Sequence, residues 1–144
     1  EDELVAVLAH EVGHYKKKHI LTSLILSILQ LGLMCFLFEL CLNEENISRA
    51  LGSDKVVFHL GLVGFGILYS PIGTIVGIFM NILSRKNEFE ADAYAKKTFE
   101  GSSLELALKK LSVDNLTNLY PHPLYVFIHY SHPPLLKRLE ALNK

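Results

Sequence analysis

From Val56 to Leu83 the chain reads VVFHLGLVGFGILYSPIGTIVGIFMNIL and contains no Asp, Glu, Lys or Arg. A helix needs about 20 such residues to cross a hydrocarbon layer roughly 30 Å thick. This stretch is long enough to span one, with room for tilt or for a kink at Pro71. An earlier run, Leu21 to Leu42, reads LTSLILSILQLGLMCFLFELCL and carries a single formal charge, Glu39. Two such runs in 144 residues exceed what so short a chain could cover in a water-soluble core. The expectation is an all-α integral membrane protein with two transmembrane helices. Averages conceal this, because 14 basic side chains nearly cancel 15 acidic ones for a net charge of −1. That balance excludes a nucleic-acid binder relying on overall positive charge. Cys35 and Cys41 both lie inside the first apolar run, where a thiol behaves as a small hydrophobe. Neither a disulfide framework nor a cysteine metal site is expected.

The flanks of the runs set a topology. Lys16, Lys17 and Lys18 precede the first run, Arg85 and Lys86 follow the second, and the polar loop Asn43 to Lys55 between them is acidic on balance. The positive-inside rule puts both outer flanks on the cytoplasmic side. Two crossings then return the chain to the side it left, so chemistry just before Leu21 and just after Leu83 shares one face of the membrane. From Ser84 onward a helical period predicts two helices, through EFEADAYAKKTF and SLELALKKLSVDNL, with Leu104, Leu108 and Leu111 on one face. Gly101 reads as the stop of the first, and Ser102 or Ser103 as the N-cap of the second. The proline- and histidine-rich segment Tyr120 to Pro134 reads as extended or looped, and a short final helix is expected over Leu135–Leu142.

Ahead of the first run, VAVLAHEVGH contains His10-Glu11-x-x-His14. Positions four apart share a helix face, so both imidazoles can bind one zinc ion while Glu11 reaches a water held there. The surrounding segment lacks proline, has acidic residues in its first turn, and predicts an apolar face through Leu4, Val5, Leu8 and Val12. Zinc bound by two histidines needs a third protein ligand and one open position. His19, His59, His122, His129 and His132 are candidates, as are the acidic residues after the second run. His59 lies within that run and is expected as a polar group inside the bundle. Asn87-Glu88-Phe89-Glu90-Ala91-Asp92 is the better candidate, because the topology returns it to the motif's side. Glu88 and Asp92 stand at i and i+4, so one carboxylate can bind the metal while the other orients a ligating histidine through its free ring N–H. Glu90 points elsewhere.

The order HEVGH, two apolar runs, SRKNEFEADAYAKK and then HYSHPPLLKRLEAL resembles the carboxyl-terminal part of the type I CAAX prenyl proteases. These are multi-pass membrane zinc endopeptidases of the gluzincin type, and the resemblance runs over essentially the whole chain. It implies one Zn2+ per chain held by His10, His14 and Glu88, with Glu11 as general base and Asp92 as partner to a ligating histidine. It also implies that His132, in Ser131-His132-Pro133-Pro134, reaches the transition state from outside the metal's ligands. The residues alone do not separate His132 from His129.

The family fold is a seven-helix membrane barrel around a water-filled chamber, with the zinc site on its cytosolic side. The chain is therefore expected to be the C-terminal peptidase region of a larger multi-pass protein of the endoplasmic reticulum or bacterial inner membrane, partnered by N-terminal transmembrane helices of the parent chain. Its expected divisions are an HExxH helix over 1–20, a span over 21–42, a loop over 43–55, a span over 56–83 and the zinc-site region over 84–144. The implied partners are membrane lipid and a peptide or protein substrate carrying a prenylated C-terminal Cys-aliphatic-aliphatic-X sequence. HtpX-like membrane quality-control proteases share HExxH and the downstream glutamate-to-aspartate spacing, and are the alternative reading. An inactive membrane interaction module is the non-enzymatic one, against which the intact Glu11 speaks, since a structural zinc site needs no base. Arg138 has two open roles: pairing with a carboxylate of the site, or capping the last helix.

Overall fold

The two apolar runs each lie in one long helix of the computed structural model, which describes Glu1–Lys144. The chain contains no strand. Its elements are α1 (Asp2–Lys16), α2 (His19–Asn43), α3 (Glu45–Ala50), α4 (Phe58–Thr98), α5 (Gly101–Asp114), α6 (Pro123–His129) and α7 (Leu135–Leu142). Helices α2 and α4 are long and apolar enough to cross a membrane, and their apolar windows are almost wholly uncovered by the rest of the chain. Two compact units divide the residues, Glu1–Thr22 with Ile78–Lys144 in one and Ser23–Gly77 in the other.

The first unit assembles the segments flanking the two runs. Its core is Ala6 of α1, Ala95 of α4, Leu104 and Leu108 of α5 and Leu142 of α7, with Ala9, Phe99 and Leu135 packed against it. Full burial of a leucine contributes about 1.5–3 kcal/mol relative to exposure, so the α5 leucines anchor this small core. The expected stripe on α5 is thus packed at Leu104 and Leu108, while Leu111 stays exposed.

Helix α1 corrects its sequence reading. The apolar face Leu4, Val5, Leu8 and Val12 is not packed, Leu4 being 75% and Leu8 61% exposed; the buried residues are Ala6, His10 and Gly13. Small residues let the helix backbone approach α4 closely: a Cβ built on Gly13 would lie 3.1 Å from Ala91 Cα and 3.2 Å from Ala91 O. The helix also ends before the expected residue 20. Lys17 is its C-cap, and Lys18 at φ 59° takes the left-handed conformation that turns the chain into α2.

Other boundaries differ for local reasons. The expected loop 43–55 contains α3, whose Glu44 carboxylate accepts from Asn46 N–H at 3.3 Å and whose Arg49 pairs with Glu45 at 2.9 Å. The helix of the second run does not stop with the apolar stretch at Leu83, and it is continuous with the helix expected through EFEADAYAKKTF. Helix α4 continues to Thr98, because Ser84 to Lys97 contains no Gly or Pro, and a change from apolar to polar composition does not stop a helix. It also runs through Pro71, which removes one ladder hydrogen bond. Gly101 opens α5 instead of closing α4, with Glu100 as N-cap in place of Ser102 or Ser103. Within 120–134, expected to be irregular, Pro123 takes the first turn of α6 and the His122 ring accepts from Leu124 N–H at 3.3 Å. Proline is favoured at that position because its missing N–H would be unpaired anyway.

The second unit packs α2 against the start of α4 through aromatic rings and a close backbone approach. The rings of Phe38 and Phe65 meet edge to face at 5.1 Å, and Gly61 lies where a Cβ would stand 3.0 Å from Leu42 Cα. His59, expected inside a bundle, is exposed in this chain.

Candidate metal centre

Helix α1 carries His10 and His14 one turn apart, and α4 brings Glu88 against them. The Nε2 atoms of the two imidazoles face each other at 3.2 Å. Glu88 Oε1 lies 3.4 Å from His14 Nε2, and Oε2 lies 3.8 Å from His10 Nε2. One donor atom from each residue lies within 4.8 Å of the other two. Two imidazole nitrogens and a carboxylate oxygen converging at a partly buried point form a donor set that fits a divalent metal with N/O preference.

The outer nitrogen of each ring lies beside a polar group, the kind of outer partner found behind metal-ligating histidines. His10 Nδ1 lies 2.9 Å from Asp92 Oδ1, although the oxygen sits off the N–H axis, so this buried nitrogen has no well-aligned partner in the present ring orientation. His14 Nδ1 lies 3.1 Å from Nδ1 of the buried His19, whose Nε2 lies 3.4 Å from Glu90 Oε2. Sequence reasoning offered His19 only as a possible ligand and set Glu90 aside. Both stand behind His14, an arrangement that depends on the turn at Lys17–Lys18 folding His19 back. Burial, then the neighbouring His10, push the His14 imidazole below its ordinary pKa against the pull of Glu88, which favours the neutral ring that ligation needs.

Arg138 of α7 resolves its two open roles in favour of the carboxylates. It donates from Nε to Asp92 Oδ2 at 2.8 Å and from Nη2 to Asp92 Oδ1 at 2.6 Å, and its Nη1 lies 3.3 Å from Glu88 Oε2. Burial alone would raise the Asp92 carboxyl, but the bonds from Arg138 and His10 outweigh it and hold the group below the usual carboxylate range. The stability linked to this depressed pKa is present above the ordinary value of about 3.9 and is lost as pH falls through the lower folded-state value. Arg138→Met leaves two buried carboxylates without their cation, and breaking a buried pair on one side costs about 3–5 kcal/mol. Thermal melting of the full-length protein in detergent should show a clear fall in midpoint, part of which Asp92→Leu in the same chain restores. An unchanged midpoint in Arg138→Met would refute this.

The remaining histidines separate here. His132 Nδ1 lies 3.2 Å from Glu88 Oε2 with the side chain 68% exposed, so it borders the centre without being enclosed by it. His129 instead ends α6 with its ring 4.6 Å from that of Tyr125, and His122 caps the same helix. A cavity of about 440 Å³ opens on the cluster, and Glu11 and His132 both line it. Its other wall is aliphatic, formed by Val7, Ile20, Leu104, Leu108 and Leu111.

The same geometry makes Gly13 a sensitive position. Alanine favours a helix over glycine by about 1 kcal/mol, yet its methyl would press on the Ala91 backbone and on Tyr94 Cβ at 3.2 Å. Gly13→Ala should push α1 off α4 and weaken metal retention, read as faster loss of bound metal to a chelator. Retention equal to that of the unsubstituted protein would show that the helices can give.

The chain is 40% identical over 147 residues to the CAAX prenyl protease 1 homolog of Arabidopsis thaliana, covering 99% of this chain and 34% of that one. It is 39% identical over 145 residues to the CAAX prenyl protease 1 homolog of Homo sapiens, covering 99% and 30%. It is 36% identical over 157 residues to CAAX prenyl protease 1 of Saccharomyces cerevisiae, covering 99% and 35%. The crystal structure of S. mikatae Ste24p matches with a TM-score of 0.81 at 36% identity, over 99% of this chain and 35% of that one. The chain thus spans between 30% and 35% of the length of these relatives. The family description "Peptidase family M48" matches residues 1–144 from end to end, and the chain belongs to that family.

Proposed function

We propose that this chain is the zinc-binding peptidase region of a multi-pass membrane endopeptidase that processes prenylated C-terminal Cys-aliphatic-aliphatic-X sequences. The observation that carries the reading is the convergence of His10, His14 and Glu88 within 4.8 Å, with Glu11 on the same cavity. These three residues would hold one Zn2+ per chain, a ligand number typical of catalytic zinc sites. When bound, zinc supplies a Lewis acid that polarises the scissile carbonyl and lowers the pKa of water toward about 7. Glu11 takes the proton of the attacking water and delivers it to the leaving amine. His132, outside the ligand set, donates to the oxygen on which negative charge develops. Asp92, beside His10 Nδ1, would orient that ring so that Nε2 is free for the metal, and Arg138 holds Asp92 in place.

The relatives' names support the substrate class, and the aliphatic wall of the cavity suits aliphatic side chains beside the scissile bond. A lipid on the substrate's cysteine would hold the peptide at the membrane surface. The basic flanks at Lys16–Lys18 and Arg85–Lys86 support a site on the cytoplasmic side, of the endoplasmic reticulum or a bacterial inner membrane. The assembly of the first unit from both flanks supports two crossings that return to one side. N-terminal transmembrane helices of a longer parent chain complete the substrate groove.

The test uses the full-length protein in detergent and one peptide with and without a farnesyl group on its cysteine, beside a Glu11→Gln control. Cleavage three residues from the end that requires both Glu11 and the lipid supports the proposal. Equal cleavage of both peptides, or of unrelated unfolded chains, would overturn the substrate assignment and leave a membrane quality-control protease.

A further inference from the structure

Helix α6 has no fully buried residue, Val126 and Ile128 being only partly covered, so apolar packing holds it weakly. Side chains of α4 bind its main chain instead. Arg85 Nη1 donates to the carbonyl of Val126 at 3.1 Å and to that of Tyr130, and Nη2 donates to the carbonyl of Phe127 at 3.4 Å. One turn earlier on α4, Asn81 Nδ2 donates to the carbonyl of Ile128 at 2.7 Å. Val126 C=O already accepts from Tyr130 N–H at 3.1 Å, whereas the carbonyls after it have no intrahelical donor; together they form the negative end of the helix, which a cation meets favourably. A guanidinium suits this task because its planar fork reaches several acceptors at once, where an ammonium is a single point charge.

What lies just beyond the anchored carbonyls makes the contact functional. Only Ser131 separates the tethered Tyr130 from His132. His132 is mostly exposed, and its one polar contact within the chain is with Glu88. Its position is therefore set by its backbone, which Arg85 and Asn81 hold on one side and the buried Pro133, leading into α7, holds on the other. Arg85 and Glu88 also stand three residues apart on the same helix, so one rigid element presents the metal-centre carboxylate and fixes the approach of the histidine.

We infer that Arg85, assisted by Asn81, is a positioning residue that clamps the end of α6 and thereby sets His132 beside the metal centre. This rests on the role given to His132 in the proposed function. A misplacement of about 1 Å can cost on the order of 10²-fold in rate, which bounds the expected effect.

Full-length protein in detergent is compared as Arg85→Gln, His132→Ala and the double variant, with Asn81→Ala as a milder form of the same change. Arg85→Gln should lower kcat by up to about 10²-fold while KM and zinc content stay unchanged, and amide hydrogen exchange over residues 123–132 should rise. In the His132→Ala background the same substitution should cost less than about twofold, because coupled residues are not additive. Asn81→Ala should move both readouts in the same direction by less, and it serves as the test if Arg85→Gln does not fold. Unchanged exchange at α6, or losses that multiply in the double variant, would overturn the inference. Normal turnover by a parallel Glu11→Gln sample would instead overturn the proposed function, while the exchange data still decide whether Arg85 holds α6.

Discussion

On the proposed function, Glu11→Gln in the full-length protein is expected to retain bound metal and to lose about 10²–10⁴-fold in peptide cleavage. Glu11 is exposed and stands outside the three-residue donor cluster, so its replacement disturbs neither the core nor the ligands. Glutamine has nearly the same shape and can still hydrogen-bond, but it cannot accept the proton that the attacking water must lose. The two outcomes of removing a base and removing a ligand are thereby separated. Metal content by elemental analysis and initial rates on a farnesylated peptide measure them in parallel. Turnover within a few-fold of the unsubstituted protein would show that the base lies elsewhere.

Glu88→Ala is expected to abolish metal retention and cleavage together. Glu88 is buried, contacts both facing imidazoles, and also lies against Arg138 Nη1 and His132 Nδ1. Its removal takes away the only carboxylate of the donor set and leaves two histidines, which is fewer than the three protein ligands of catalytic zinc sites. The loss should exceed the 10–100-fold in affinity that follows loss of an outer partner such as Asp92. Glu88→Gln keeps the volume and removes the charge, which separates ligation from packing. Stoichiometric zinc surviving dialysis against a chelator in both variants would place the third ligand on another residue.

The centre was largely legible in the residues because its elements are local. His10 and His14, and Glu88 and Asp92, are i,i+4 pairs, and helical periodicity alone puts each pair on one face. The two long apolar runs are equally local, since hydrocarbon thickness translates directly into a count of residues. His132 was reached only through resemblance to a family, because nothing in its own neighbourhood distinguishes it from His129.

Packing followed other rules. On α1 the largest apolar side chains face outward, while Ala6 and Gly13 are buried, because close approach of α1 to α4 depends on small side chains and not on greasy ones. Hydrophobicity at a position does not say which face a partner will meet. Composition did not show that the second run and the helix after it are one element, since a helix stops where its backbone is interrupted and not where its polarity changes. Helix α6 escaped notice because prolines punctuate loops and helix starts alike, and the donors that bind its carbonyls lie more than forty residues earlier in the chain.

Spacing along the chain thus placed two histidines and two carboxylates on matching helix faces and marked the stretches able to cross a membrane. Tertiary structure alone decided that Arg138 joins Asp92 to Glu88, that His19 stands behind His14 with Glu90 beyond it, and that Arg85 holds the segment carrying His132. The physical reason is that periodicity reports only neighbours within a turn or two. Each of these later contacts joins groups brought together by chain reversals, and their partners are chosen by the geometry of the whole unit.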